Sequence, residues 1–239
     1  MFDKLGKLAK RTSPDGLLSP SVYRRYRADG QVLNHKILDT IPDRLAFQFT
    51  ARALGMMGRD NTIIFDNEDE MSVLMDCMLY EYKTQGKNVV ERYQEEIGGE
   101  TKIERELLAA MVASSISLFR VESISRKTYS LTLCDLVNEG RTITLMDVNF
   151  SRTVKSNYLL FIRPITLENF SMTSGIAFTF PSGMKNELVK RWTRPQSRGS
   201  RRQRQAQSIS LKRYATFFKL SKRKGIEVIY RDMESRKGR

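Results

Sequence analysis

The chain has 239 residues and a formal net charge of +14, and 40% of its residues are hydrophobic. That hydrophobic content is sufficient for a folded core and argues against wholesale disorder. No apolar run approaches the ~20 residues that cross a bilayer, and the start of the chain lacks the apolar stretch of a secretory signal, so we expect a cytoplasmic protein without a transmembrane segment.

The positive charge is concentrated at the ends of the chain, above all in its last fifth. Residues 190–239 hold seventeen bases and three acids, a net charge of +14, and residues 1–30 add a net +4. The middle of the chain, residues 31–189, is therefore mildly acidic, with a net charge of −4. Such asymmetry carries information about partners and not about the fold.

The first half of the chain predicts helices. We expect residues 1–20 to be a flexible basic lead-in and residues 21–117 to form a helical domain. Acidic residues fill the first turn of one predicted helix, where they complement the helix dipole, and Thr101 with Glu104 forms a capping box at the start of another. The predicted helices cover residues 32–41, 43–55, 66–82 (opening at Asp66 or Asn67), 88–96 and 101–115.

The pattern changes to that of a small β domain over residues 118–182. β-branched and aromatic residues alternate with turn signals there, and Asn138, Glu139 and Gly140 predict a three-residue hairpin connection. A sheet of five or six short strands avoids open edges best by closing, so we expect a small antiparallel β-barrel or sandwich and an α+β fold overall. The predicted strands are 118–125, 129–137, 141–149, 157–163, 168–173 and 175–180.

Residues 183–239 are predicted to form a basic C-terminal arm. A short helix at 185–192 comes first, and residues 193–210, rich in Arg, Gln and Ser, are typical of a linker. Apolar alternation on both sides of a basic turn then predicts a β-hairpin at 213–231. A helix through 208–221 is the alternative interpretation of the same residues.

Several segments between residues 32 and 180 resemble uncharacterised bacterial proteins that combine helices with a small β domain, some of which carry SEC-C zinc motifs. The segments are DNEDEMSVLMDCMLYEY, GKNVVERY, SLFRV, LTLCDLVNEGRTITLMD, FSRTV and SGIAF. The resemblance implies the helical-plus-β arrangement and no activity. The cysteine-rich zinc module is absent from this chain, so the resemblance implies nothing about a metal.

The basic arm is the best functional signal in the sequence. Lys and Arg bind the phosphates of nucleic acids by releasing condensed counterions, and interleaved aromatic residues can either stack on bases or form a core. We therefore predict a non-enzymatic accessory protein that binds RNA or DNA, and a second basic cluster at residues 23–27 either adds phosphate contacts or covers the acidic body. The predicted nucleic-acid-binding residues are Arg191, Arg194, Arg198, Arg201, Arg202, Arg204, Lys212, Arg213, Lys219, Lys222, Arg223 and Lys224.

Enzymatic and metal-binding functions have less support in the sequence. Two cysteines and one histidine cannot complete a four-ligand zinc site, and no phosphate-binding loop, nucleotide-binding fingerprint or hydrolase motif is present. We therefore predict no catalytic residue, no metal and no cofactor. Two alternatives stay open: an interaction or scaffold module whose basic arm binds an acidic protein or a second copy of the chain, and an unrecognised hydrolase or nuclease.

Overall fold

The computed structural model describes residues 20–40, 44–194 and 209–226. It shows an α+β fold in which helices surround a closed five-stranded barrel. Residues 1–19 of the lead-in predicted at 1–20 lie outside the described residues, as does most of the predicted linker, and Pro20 belongs to the first helix.

Each N-terminal helix ends close to the residue at which the sequence predicts its end, and two of these helices also begin at a capping residue. Asn88 and Thr101 each cap the helix that follows through a reciprocal capping box with the glutamate three residues later. The first helix is longer than predicted, because Tyr23 and Tyr26 continue the apolar face of Leu33 and Ile37 towards the N-terminus. The helices are α1 (Pro20–Asp39), α2 (Arg44–Leu54), α3 (Asp69–Tyr80), α4 (Val89–Glu96) and α5 (Lys102–Val112).

The barrel has the strand order β1-β2-β3-β5-β4, and β4 closes it against β1. Its pairings are antiparallel except for one parallel contact, where Leu145 of β3 faces Ser171 of β5. The two strands predicted at 168–173 and 175–180 are a single strand, which is bulged near Gly175 (φ +125°). The strands are β1 (Ser117–Ser125), β2 (Ser130–Asp135), β3 (Thr142–Met146), β4 (Leu159–Thr166) and β5 (Ser171–Phe180).

Three further helices complete the described chain. The short α6 (Phe150–Thr153) lies between β3 and β4, and α7 (Lys185–Thr193) follows a 3-10 turn after β5. The last helix, α8 (Ile209–Lys224), occupies the place where the first strand of the hairpin was predicted.

The predicted hairpin is therefore wrong over its first strand, and the helical alternative is correct. Residues Leu211, Tyr214, Ala215, Phe217 and Phe218 are all buried, which fits one helical face and not the alternate residues of a strand. The remaining residues of the predicted hairpin, 227–231, lie outside the described residues.

The hydrophobic core crosses the boundary that the sequence predicts at residue 117. One buried cluster fills the interior of the barrel. A second joins α2, α3, α7 and α8 to the outer face of β4 and β5, and a third joins α1, α4 and α5 to the start of β5. Helix α8 therefore packs between the helices and the barrel.

Candidate nucleic-acid interface

The structure describes eight of the twelve predicted nucleic-acid-binding residues. Arg198, Arg201, Arg202 and Arg204 lie outside the described residues. The other eight lie at the end of α7 and along α8, which divides them into groups with different surroundings: Arg191, Arg194, Lys212, Arg213, Lys219, Lys222, Arg223 and Lys224.

The aromatic residues of α8 belong to the core. Phe217 is fully buried and stacks on Phe161 of β4 with ring centroids 4.4 Å apart. Phe218 is 4% exposed and lies 5.8 Å from Phe178 of β5. These rings hold α8 on the barrel, so they cannot offer their faces to bases.

A buried polar cluster also favours one orientation of α8 in this packing. The Tyr214 hydroxyl donates to the Asp76 carboxylate of α3 at 3.0 Å, and both groups are buried. Burial raises the pKa of the Asp76 carboxyl above its ordinary value, and the positive charge of Arg163 opposes that shift. Because a buried hydroxyl needs a partner, this contact favours one orientation of α8 over its rotated alternatives.

Arg163 completes the cluster from β4. Its guanidinium donates to the buried Glu81 carboxylate and to the Ser114 carbonyl, the latter at 3.0 Å, and lies 4.3 Å from the centroid of the Tyr80 ring. The signal that identifies Arg163 is its position in a strand whose other residues from 159 to 165 are apolar.

Two lysines near the C-terminal end of α8 are bound to the body of the protein. Lys222 forms ion pairs with Asp66 at 2.5 Å and with Glu70 at 2.6 Å, while Lys224 pairs with Glu187 at 3.1 Å. Hydrogen bonds to Asp66 and Glu70 raise the pKa of Lys222. Much of the charge predicted for phosphate contact at this end of α8 is thus compensated within the chain.

Lys219 is held in a similar way without a carboxylate. Its ammonium group donates to the backbone carbonyl of Ala53, the residue before the last of α2, at 2.8 Å. The end of a helix carries partial negative charge, which favours a cation there. The charge of Lys219 therefore helps to fix α8 against α2.

The start of α8 lies against the end of α7. The Arg213 guanidinium is 4.1 Å from the centroid of the Trp192 ring, and this tryptophan also contacts Phe217 with ring centroids 6.3 Å apart. Burial lowers the pKa of Arg213, which is nonetheless charged at neutral pH. The chain between these helices, residues 195–208, therefore leaves and rejoins the body at neighbouring points.

Exposed bases surround these two points. Lys190 and Arg194 are exposed at the end of α7, and Lys212 is half-buried on α8. Arg191 is ion-paired with Glu187 at 2.7 Å. From Arg194 to Arg213 the sequence contains seven bases and no acid, so the charge of this stretch is not balanced within it.

The three bases of the second basic cluster, at residues 23–27, have different surroundings, because Arg24 and Arg25 are exposed and Arg27 is bound within the protein. Arg27 donates to the Asp147 carboxylate at 3.2 Å and to the Thr173 carbonyl at 2.6 Å, and the Tyr26 hydroxyl donates to Glu106 at 2.5 Å. Arg27 thus contacts the body, as one of the two interpretations predicts, while the exposed Arg24 and Arg25 leave the phosphate-contacting interpretation open for the rest of the cluster.

The described residues hold no group of three or more His, Cys, Asp or Glu side chains placed to bind a metal ion. No helix within the described ranges is long and apolar enough to cross a membrane.

No curated protein and no solved structure matches the chain. A family model matches residues 19–231, which covers every described residue. The chain accordingly belongs to DUF7986, a family of unknown function.

Proposed function

We propose that this protein binds nucleic acid through the arginine-rich connection between α7 and α8. The observation that carries the proposal is the run of seven bases without an acid from Arg194 to Arg213, four of them at positions 198, 201, 202 and 204. Arginine suits this role because its planar guanidinium binds phosphate oxygens in pairs.

The contacts of α7 and α8 support a binding segment attached at both ends. The Arg213–Trp192 contact at 4.1 Å brings the ends of the connection together beside Arg194 and Lys212. A segment closed into a loop samples less space than a free tail, so its bases stay near those of the two helices. The combined group of bases is then matched to a polyanion and needs no base-specific contacts.

The lysines at the far end of α8 have a different role in this proposal. Lys222 and Lys224 are paired with carboxylates of the same chain, so a phosphate would have to replace an existing partner. We therefore expect them to contribute less to binding than the arginines of the connection, although all of them carry the same charge.

Two double variants with the same change in net charge test this division. Arg201→Gln with Arg202→Gln removes two bases of the connection, and Lys222→Gln with Lys224→Gln removes two paired bases. The full-length variants are titrated with labelled duplex DNA, single-stranded DNA and RNA at several salt concentrations. For duplex DNA each lost phosphate contact lowers the slope of log Kobs against log[salt] by about 0.9, so the arginine pair should lower it by about 2 and the lysine pair by much less.

Two results would contradict the proposal. If the wild-type protein showed no detectable binding to any of the three nucleic acids at low salt, the proposed function would be ruled out. Equal losses in the two double variants would mean that only the overall charge matters, and the connection between α7 and α8 would no longer be the site.

A further inference from the structure

Two exposed bases lie at the tip of the turn between β1 and β2. They are Arg126 and Lys127, and neither forms an ion pair with a carboxylate of the described residues. Arg27, by contrast, is paired with Asp147 at 3.2 Å. The charge of the turn is therefore not balanced by direct partners and can attract a polyanion.

A third exposed base approaches this turn from α6. The guanidinium of Arg152 lies 5.5 Å from the centroid of the ring of Tyr129, the last residue of the turn. Phe150 is fully buried in the interior of the barrel and anchors α6 there, while the amide of Asp147 donates to the carbonyl of Tyr129 at 2.9 Å. These contacts hold α6 and the turn side by side at one end of the barrel.

Tyr129 has an unusual backbone conformation for an aromatic residue. Its φ is +52°, in the left-handed region that bulky residues rarely adopt and that suits glycine or asparagine. The ring is half-buried, packs against the cluster that joins α1, α4 and α5 to β5, and also contacts the guanidinium of Arg152. The turn thus accepts an unfavourable conformation at a position where the ring supports an exposed arginine.

This arrangement matches the chemistry by which proteins bind single strands. A guanidinium is planar and stacks on bases as well as on aromatic rings, and flanking bases such as Arg126 and Lys127 can bind phosphates. We propose that an unpaired base of a single-stranded nucleic acid stacks on Arg152 above Tyr129, while Arg126 and Lys127 bind the adjacent phosphates. The inference rests on the nucleic-acid binding proposed above and adds a preference for single strands, because the bases of a duplex are already stacked on one another.

A groove of about 500 Å³ lies beside α6 and gives such a strand room to continue. It is lined by Asn149, three residues before Arg152, and by the exposed Arg24 of α1. Among the described residues that line the groove the one acid is Asp147, and its charge is compensated by Arg27. The groove therefore offers a path for the strand without an unpaired negative charge.

The ratio of the affinities for single-stranded and duplex DNA of one sequence tests the stacking. Arg152→Lys keeps the charge of the full-length protein and removes the planar guanidinium. It should lower the affinity for the labelled single strand about tenfold, as expected for loss of one stacked base, and change that for the duplex by less than about twofold. Arg59→Lys is the matched control at an exposed arginine after α2 and should change neither affinity.

The two bases of the turn give a second measurement. Arg126→Gln with Lys127→Gln removes two phosphate contacts, so the slope of log Kobs against log[salt] for the single strand should fall by about 0.7 for each of them. Arg59→Gln should leave that slope unchanged. An unchanged slope in the double variant would refute the phosphate contacts of the turn.

The outcomes separate this inference from the function on which it rests. If Arg152→Lys lowers both affinities equally, or neither, the stacking is wrong even where Arg201→Gln with Arg202→Gln still weakens binding and supports the connection as a site. If that arginine pair has no effect while Arg152→Lys lowers the ratio, the connection fails and the stacking site stands. Absence of single-strand binding by the wild-type protein at low salt would overturn the inference outright.

Discussion

Replacement of Phe217 by Ala should cost the protein about 3–5 kcal/mol of unfolding free energy, which is the range for loss of a buried phenylalanine. Phe217 is fully buried and stacks on Phe161 with ring centroids 4.4 Å apart and an angle of 11° between the ring planes. Phe218→Ala should have a cost in the same range, because Phe218 is 4% exposed and lies 5.8 Å from Phe178.

The two substitutions together distinguish a helix from a strand at this point. Adjacent residues of a strand point to opposite faces, so a hairpin on the surface would bury only one of the two rings. Urea unfolding followed by circular dichroism measures both costs, and the dependence of the free energy on urea should stay close to that of the wild type. Arg223→Ala is the control on the same helix, since its exposed side chain predicts a change within about 0.5 kcal/mol. A cost below about 1 kcal/mol for either phenylalanine would refute the packing of α8 described above.

The buried polar cluster yields two further predictions. Arg163→Met removes the guanidinium that binds the buried Glu81 carboxylate and should destabilise the protein by about 3–5 kcal/mol. Arg163→Met with Glu81→Met should recover most of that loss in the same urea assay. The free energy of unfolding of the Asp76→Asn variant should rise relative to that of the wild type as the pH rises from about 4 to 7. The raised pKa of Asp76 stabilises the wild-type protein at low pH, and this contribution is lost as the pH rises through the folded-state pKa. A constant difference between the Asn variant and the wild type across that range would contradict the raised pKa.

The sequence predicts those elements whose signals lie within a few residues of each other. The capping box of Thr101 and Glu104 marks the start of α5, and the structure contains both of its hydrogen bonds. Gly140 has the positive φ, +74°, expected in the connection between β2 and β3. In each case the residues that fix the conformation are neighbours in the sequence.

The conformation of α8 depends on residues far away in the sequence. The segment from Tyr214 to Leu220 fits the period of a strand as well as that of a helix, so its own pattern leaves two solutions. Phe161, Phe178 and Asp76 decide between them, because they provide a surface for a helical face and a hydrogen-bond partner for Tyr214. Tertiary packing of this kind cannot be predicted from a single stretch of sequence, because it joins residues that are far apart in the chain.

The candidate site was predictable only in part for the same reason. Net charge over residues 190–239 identifies a basic segment, but charge counting treats Lys222 and Arg201 as equivalent. Lys222 differs because Asp66 and Glu70, which lie far earlier in the sequence, are within 2.6 Å of its ammonium group. The sequence predicts that the helix opens at Asp66 or Asn67, whereas α3 begins at Asp69 and both acids pair with Lys222.

The attachment of α8 and the proposed binding of nucleic acid should respond differently to salt. Exposed ion pairs such as Lys224–Glu187 stabilise by about 0–1 kcal/mol each and are screened at high ionic strength, whereas burial of the α8 aromatic residues contributes several kcal/mol and is not screened. Phosphate binding by the connection depends on counterion release and falls steeply over the same range of salt. A salt titration of the wild-type protein should therefore release nucleic acid while α8 remains docked. The slope of that titration then reports the phosphate contacts of the connection and not the detachment of α8.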